Sequence, residues 1–454
     1  MHAVTPLDLT DVVAPVVPTG DNGNGAQVVQ LPAGGFFTEK GALVVPQLAG
    51  VVQHSGHIRS GVDGRLYRYD GGVYRPDGDI WARARVRELL GDRCQRKHFD
   101  EVLTWLRSFE ATVTADPGTS LLNVANGLLD WRSGQLHPHD PEVVSTVQSP
   151  VSWDPSATCP VFDRFLAEVV PADAVDLIGE VAAYVLYPGN PLRRAVLLLG
   201  PGRNGKSVLL GVLRALVGAC NVSAVPLQAL AENRFAAAEL FGKLANISGD
   251  LDARAIRNTD LFKMATGNDA ILAERKYGAA FSFVPFTTFV FAANEAPISS
   301  DQTDAWFDRW LVVPFDNRIP DESVDPHLLA RLTTPRELSG LLAKAVPALR
   351  RLLARGRFVL PASVEMAGER YRDKLDTVRG FVTEHCTVHT DAWVARPQLY
   401  RSYRTWAADS GRLPVSVEKF NEHLRRAYPV TETVRRGSRG WSGIGLGAED
   451  EGRP

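Results

Sequence analysis

Residues 200–207 read GPGRNGKS, an instance of G-x-x-x-x-G-K-[ST], and the apolar run Ala195–Leu199 leads into it as a buried strand would. Such a loop is built to hold phosphate. Gly200, Gly202 and Gly205 let the backbone turn its N–H groups inward around Pro201, Arg203 and Asn204, and the helix that follows adds its positive end. Lys206 is placed to neutralise β- and γ-phosphate charge, and Ser207 to hold Mg²⁺. The competing reading is a Gly-rich structural turn. The strand before the loop and SVLLGVLRALVGA after it argue for a nucleotide.

Hydrolysis needs carboxylates at the end of a neighbouring strand. KLANISGDLD supplies them: strand-like residues 243–248 end at Asp250 and Asp252, and Asp250 stands 44 residues after Lys206. Asp250 is the better metal candidate and Asp252 a possible partner in activating water, although aspartate also caps helices. A third strand, FTTFVFAAN, ends at Asn294, 44 residues after Asp250, where an amide can touch the γ-phosphate or the attacking water. Asparagine is also common where strands turn. Fifteen residues further, DAWFDRWLVVPF places Arg309 between bulky apolar residues. An arginine there could complete a neighbour's ATP site; the alternative is a rim salt bridge with Asp308 or Asp316.

Between these motifs, ILAERKYGAAFSF reads as a hairpin with a basic tip carrying Lys276 and Tyr277. Lys276 could follow phosphates and Tyr277 could pack on sugar or base. A solvated turn is the plainer alternative.

The elements around these motifs suggest an α/β protein of about three domains, since 454 residues at 45% hydrophobic can bury a large core. Residues 1–34 contain a GDNGNG run and no basic residue, and are expected to be a disordered leader. Residues 35–150 read as a small α+β domain. A Pro-rich joint then opens the ATPase domain, 151–360, whose alternating strand and helix runs suit a parallel sheet. Residues 361–454 read as amphipathic helices ending in a β-wing. Residues 370–440 hold 14 Lys/Arg against 8 Asp/Glu, so this end could touch nucleic acid, through Arg425, Arg426, Arg435, Arg436 and Arg439 among others.

Four scattered cysteines with no C-x-x-C pair signal neither a zinc site nor a disulfide framework and suit a reducing cytoplasm. No apolar run approaches the roughly 20 residues a membrane span requires. Asp77-Gly78-Asp79 and His137-Pro138-His139 imitate metal-binding spacings but read better as turn chemistry and surface loop.

Taken together, GPGRNGKS, ATGNDAILAERKY, FAANEAP and WFDRWLVVPF resemble the superfamily III helicases of the AAA+ class, specifically the helicase portion of phage, plasmid and poxvirus-type primase-helicases. NVANGLLDWRSGQLHPHDP and CPVFDRFL are similar to the domain preceding those helicases, and the basic end resembles their winged-helix domain, so the likeness runs over about residues 36–446. The resemblance implies an AAA+ fold, ATP bound at Gly202, Asn204, Gly205, Lys206 and Ser207, metal near Asp250, a γ-phosphate sensor at Asn294 and a trans-acting finger at Arg309. It also implies a homohexameric ring on single-stranded or forked DNA, typically moving 3′ to 5′. One departure is that Gly249-Asp250-Leu251-Asp252 separates two acidic residues that are often adjacent, which leaves the water-activating carboxylate open. Another is that full primase-helicases place a polymerising domain before the small α+β domain, where only about 35 low-complexity residues stand in this sequence, so a separate primase or polymerase is expected as partner. Two other functions share many of these motifs. An ATP-switched replication initiator would lack processive unwinding, and a DNA-packaging motor would need a nuclease.

Overall fold

Five short runs, rich in apolar and β-branched residues, pair side by side into one parallel sheet in the order Trp310–Pro314, Ala195–Leu199, Thr288–Ala293, Ala245–Ser248, Val222–Ser223. A parallel sheet is covered on both faces, and accordingly all six residues of Thr288–Ala293 and all five of Trp310–Pro314 are buried. This is a computed structural model, and it describes residues 35–447 apart from 111, 115–117, 234, 250, 252–255, 257, 277, 300, 302, 321, 323 and 436.

The strand order determines where a ligand can sit. From Ala195–Leu199 the chain crosses to the far edge, works back through Ala245–Ser248 to Thr288–Ala293, and then places Trp310–Pro314 on the other side of its starting strand. The crossovers therefore diverge beside Ala195–Leu199 and open a crevice at its carboxyl end, the usual ligand position in such sheets. Register brings Leu199 opposite both Ala293 and Pro314, so the phosphate loop, Asn294 and Phe315 all emerge on that side.

Helices Val175–Leu186 and Pro335–Arg355 pack on one another, and helix Ala362–Leu375 packs against the Trp310–Pro314 edge. Their apolar faces join the sheet in the main core, which also takes in Leu122 and Leu129 from the antiparallel strands Leu121–Val124 and Gly127–Asp130, and Trp131 just beyond the second. A second core lies earlier in the chain, where helices Val45–Ser55, Gly78–Leu90 and Arg96–Arg107 bury Leu48, Val52, Val86, Val102 and Leu106. The third core is formed by helices Thr377–His385, Arg396–Asp409 and Val417–Ala427 with the hairpin Thr431–Arg435/Ser438–Ser442, around Phe381, Tyr403, Phe420 and Trp441.

The two imitation metal motifs serve structure. Asp77 pairs with Arg68 at 3.0 Å, whereas Asp79 accepts from the Leu66 amide at 3.2 Å. His139 Nε2 lies 3.2 Å from Asn123 Oδ1 and 3.0 Å from the Val124 carbonyl.

Candidate functional site

Lys206 opens helix Lys206–Val217 directly after the loop, and its side chain folds back beneath it. The ammonium lies 2.6 Å from the Gly200 carbonyl, 3.0 Å from that of Pro201, 3.0 Å from Asn204 Oδ1 and 3.3 Å from Asn294 Oδ1. Four oxygens thus share three N–H donors. Burial lowers the lysine's pKa from its ordinary value. A partly desolvated cation ringed by neutral oxygens, with no carboxylate among these partners, is well suited to an incoming phosphate.

The cradle depends on two glycines. Gly205 adopts φ +86° as the residue capping the helix, and a Cβ there would meet Val169 Cγ1 at 2.7 Å. At Gly200 a Cβ would stand 2.1 Å from the Phe315 carbonyl oxygen. That same carbonyl accepts from Asn204 Nδ2 at 2.6 Å, so the buried Asn204 ties the loop to the end of the neighbouring strand while its own oxygen faces Lys206. The Arg203 carbonyl accepts from the Ile319 amide at 2.9 Å and fixes the outer rim. Pro201, Gly202, Arg203 and Ser207 are exposed, which leaves the Ser207 hydroxyl accessible on the first turn of the helix for a metal ion.

Asn294 follows strand Thr288–Ala293, and its side-chain oxygen faces Lys206 at the loop. Asp250, Asp252 and Tyr277 lie outside the described residues. Strand Ala245–Ser248, which leads toward Asp250, pairs with Thr288–Ala293, and the Leu251 amide donates to the Ala292 carbonyl at 2.9 Å.

Arg309 stands at the opposite end of the sheet. Its carbonyl accepts from the Ala195 amide at 2.6 Å, at the start of the phosphate-loop strand, whereas Lys206 lies beyond that strand's end. Five residues of strand, about 16 Å, separate the two levels. Neither Asp308 nor Asp316 pairs with it among the described residues. Instead Nε donates to Thr266 Oγ1 at 2.9 Å, Nη2 to the Lys263 carbonyl at 3.2 Å, and Nη1 to the Ala305 carbonyl. Trp306 and Trp310 on either side are buried in an aromatic cluster with Phe262 and Tyr371, which holds this segment in place. Burial lowers the Arg309 pKa, and the neighbouring Arg193 charge lowers it further against the pull of Asp269, Asp301 and Asp308. Arg193 is exposed, has a left-handed backbone (φ +55°), and was not singled out from the sequence. The signal available was the Arg193-Arg194 pair just before the phosphate-loop strand.

Ile271–Glu274 and Ala280–Phe283 form an antiparallel hairpin with Lys276 in its turn. Beside the turn, Arg275 reaches Asp63 Oδ2 at 3.3 Å, a carboxylate with no exposed side-chain surface that also accepts from Arg65 Nε at 2.5 Å and Tyr67 OH at 3.1 Å.

Comparison with known proteins gives three family matches: a family of unknown function (DUF5906) over residues 198–309, D5 N terminal like over 54–171, and the RFX DNA-binding domain over 376–444. The first begins within the phosphate-loop strand and ends on Arg309. The 022R protein of Frog virus 3 (isolate Goorha), which carries a helicase designation, is 24% identical over 299 residues, covering 60% of this chain and 30% of that protein. The chain thus spans about a third of the length of that relative. Among solved structures, the C terminal region of NrS-1 (305–718) matches at TM-score 0.52 and 13% identity, covering 88% of this chain and 98% of the other. A second structure of the same region matches at TM-score 0.50 and 12% identity, covering 88% of this chain and 99% of the other. Residues 54–171 thus match a D5-type segment, and the chain is similar to a viral protein with a helicase designation and shares the fold of the NrS-1 C terminal region.

Proposed function

We propose that the protein is an ATP-driven DNA helicase of the superfamily III, AAA+ type that acts in replication of a phage, plasmid or other mobile element. One observation carries this reading: Lys206 and Asn294 meet at the sheet's switch point, while Arg309 of the same chain is held at the opposite end. The site is then one half of a pair, completed by Arg309 from an adjacent subunit of a homohexameric ring.

In that site the loop amides and Lys206 bind the β- and γ-phosphates of ATP, and Asn294 orients water toward the γ-phosphorus. The water oxygen bonds to the γ-phosphorus as the bond from the γ-phosphorus to the β–γ bridging oxygen breaks, so that ADP leaves with that oxygen and phosphate forms; a carboxylate at Asp250 or Asp252 takes the water's proton, and the adjacent subunit's Arg309 stabilises the charge that develops. Ser207 and Asp250 would hold Mg²⁺, which when bound supplies charge neutralisation on the phosphate oxygens. Turnover would shift the hairpins, whose Lys276 and Tyr277 follow single-stranded DNA through the ring channel.

The test is sustained ATP hydrolysis together with strand displacement on a forked DNA. A second reading, an ATP-switched initiator, is favoured by the DNA-binding family match at the C-terminal end. A single slow turnover without strand separation would establish that reading over the motor.

A further inference from the structure

The C-terminal domain presents two very different charged faces. Helix Val417–Ala427 exposes Glu418 and Glu422 beside Lys419 and Arg426, and Arg425 is engaged by Glu432, so this face carries no net charge. Helix Arg396–Asp409 differs. Two confluent clefts of ≈ 520 Å³ and ≈ 760 Å³ run along it, one toward the hairpin turn at Ser438 and the other toward Val417. Arg401 lines both, Arg404 lines the second and Arg439 the first, and all three are exposed. Among the described residues neither Arg401 nor Arg404 has a carboxylate within ion-pair distance, and Asp409 at the far end is the one acidic residue lining the groove. Arg396 closes the inner wall, lying over the Trp441 ring at 5.5 Å and sharing Glu432 with Arg425.

We infer that this domain grips duplex DNA by its backbone in the groove between helix Arg396–Asp409 and the Ser438 turn, through Arg401, Arg404 and Arg439, and not through the exposed face of helix Val417–Ala427. The inference rests on DNA being the partner. Arg401 and Arg404 stand at i and i+3, on one helix face, where two guanidinium forks can take phosphates in succession. The helix N-terminus at Arg396 adds its positive end to the same groove. A single strand would require an exposed aromatic platform for its bases. Tyr400, the one aromatic residue lining the clefts, is half-buried and donates its hydroxyl to the Val415 carbonyl at 2.9 Å. The groove therefore offers charge without stacking, which suits a duplex backbone.

The full chain, without nucleotide, is titrated into a labelled duplex by fluorescence anisotropy across a salt series. Arg401→Ala with Arg404→Ala should weaken binding at least about tenfold at low salt and reduce the slope of log K against log salt by about two. Lys419→Ala with Arg426→Ala should leave both unchanged. All four positions are exposed, and matching melting temperatures confirm that the variants fold. Unchanged binding by the groove variant, an equal loss in the helix Val417–Ala427 variant, or displacement of the duplex by an equimolar single strand each overturns the inference while leaving the helicase reading intact. A wild-type chain that binds no DNA of either form, with ATP turnover measured separately, overturns both.

Discussion

Lys206 Nζ and Asn294 Oδ1, 88 residues apart in the chain, stand 3.3 Å from one another at the carboxyl end of the sheet. This is the longest of the four contacts to the ammonium, hence the one most easily surrendered when phosphate oxygens arrive. Replacing the neutral amide by a carboxylate should reverse that. Asn294→Asp gives Lys206 a charged partner that competes with phosphate, so ATP affinity should fall by about tenfold or more. Asn294→Ala should retain binding and lose turnover. Equilibrium binding of a fluorescent ATP analogue separates the two, and equal affinities for both variants would contradict the competition argument.

Arg309 is too far from its own phosphate loop to act there, which makes complementation decisive. Lys206→Ala and Arg309→Ala should each abolish DNA-stimulated hydrolysis alone. Mixed, they create interfaces that join an intact loop to an intact arginine, and turnover should return to a fraction of wild type. Arg309→Ala also loses three hydrogen bonds within its own chain, about 1–3 kcal/mol in all. Arg193→Ala, exposed beside it, should change stability by no more than about 0.5 kcal/mol and still reduce turnover. If the mixture of inactive variants stays inactive while assembling normally, the arginine does not act across subunits.

How much of this was legible in the sequence follows from the range of each interaction. GPGRNGKS carried its chemistry locally, because loop, strand and helix are contiguous, and the hairpin was visible from alternation around a Gly-containing turn. The pairing of Asn204 with Phe315 spans 111 residues, and only the strand order creates it. The true partners of Arg309 were hidden for the same reason: Thr266 and Lys263 approach it through the fold, whereas Asp308 was merely adjacent in sequence. In the basic tail, net charge was readable but its distribution was not. Glu432 engages Arg425, which had looked available, and Arg401 and Arg404 are left on the open face.

Asp63 couples the early part of the chain to the hairpin. Its buried carboxylate receives Arg65, Tyr67 and Arg275, and Arg275 sits one residue before Lys276. Asp63→Ala would leave two arginines facing a vacated carboxylate position. The cost should be about 1–3 kcal/mol, below that of a fully buried pair because both arginines keep part of their hydration. The more specific expectation is local: backbone amides of residues 271–283 should exchange hydrogen faster than in the wild type. Unaltered exchange there, with the stability loss confined to the early core, would show that the contact does not restrain the hairpin.

Asp301 supports Arg309 indirectly. Burial pushes the Asp301 pKa up, but hydrogen bonds from Lys263 (2.8 Å), Thr303 and Thr259 (2.7 Å) outweigh it and hold the group well below the ordinary carboxylate value. Lys263, fixed by this pair, presents the carbonyl that receives Arg309 Nη2. A carboxylate whose pKa is depressed on folding stabilises the native state at pH above its unfolded value, near 3.8, and loses that contribution as the pH falls through the folded value. Asp301→Asn removes the titrating group but keeps most of the shape. The stability difference between wild type and variant should therefore be constant from neutral pH down to about pH 4–5 and shrink in more acidic solution. Denaturant unfolding across that range measures it, and a difference that persists undiminished below the unfolded carboxylate range would mean that Asp301 contributes by packing and not by charge.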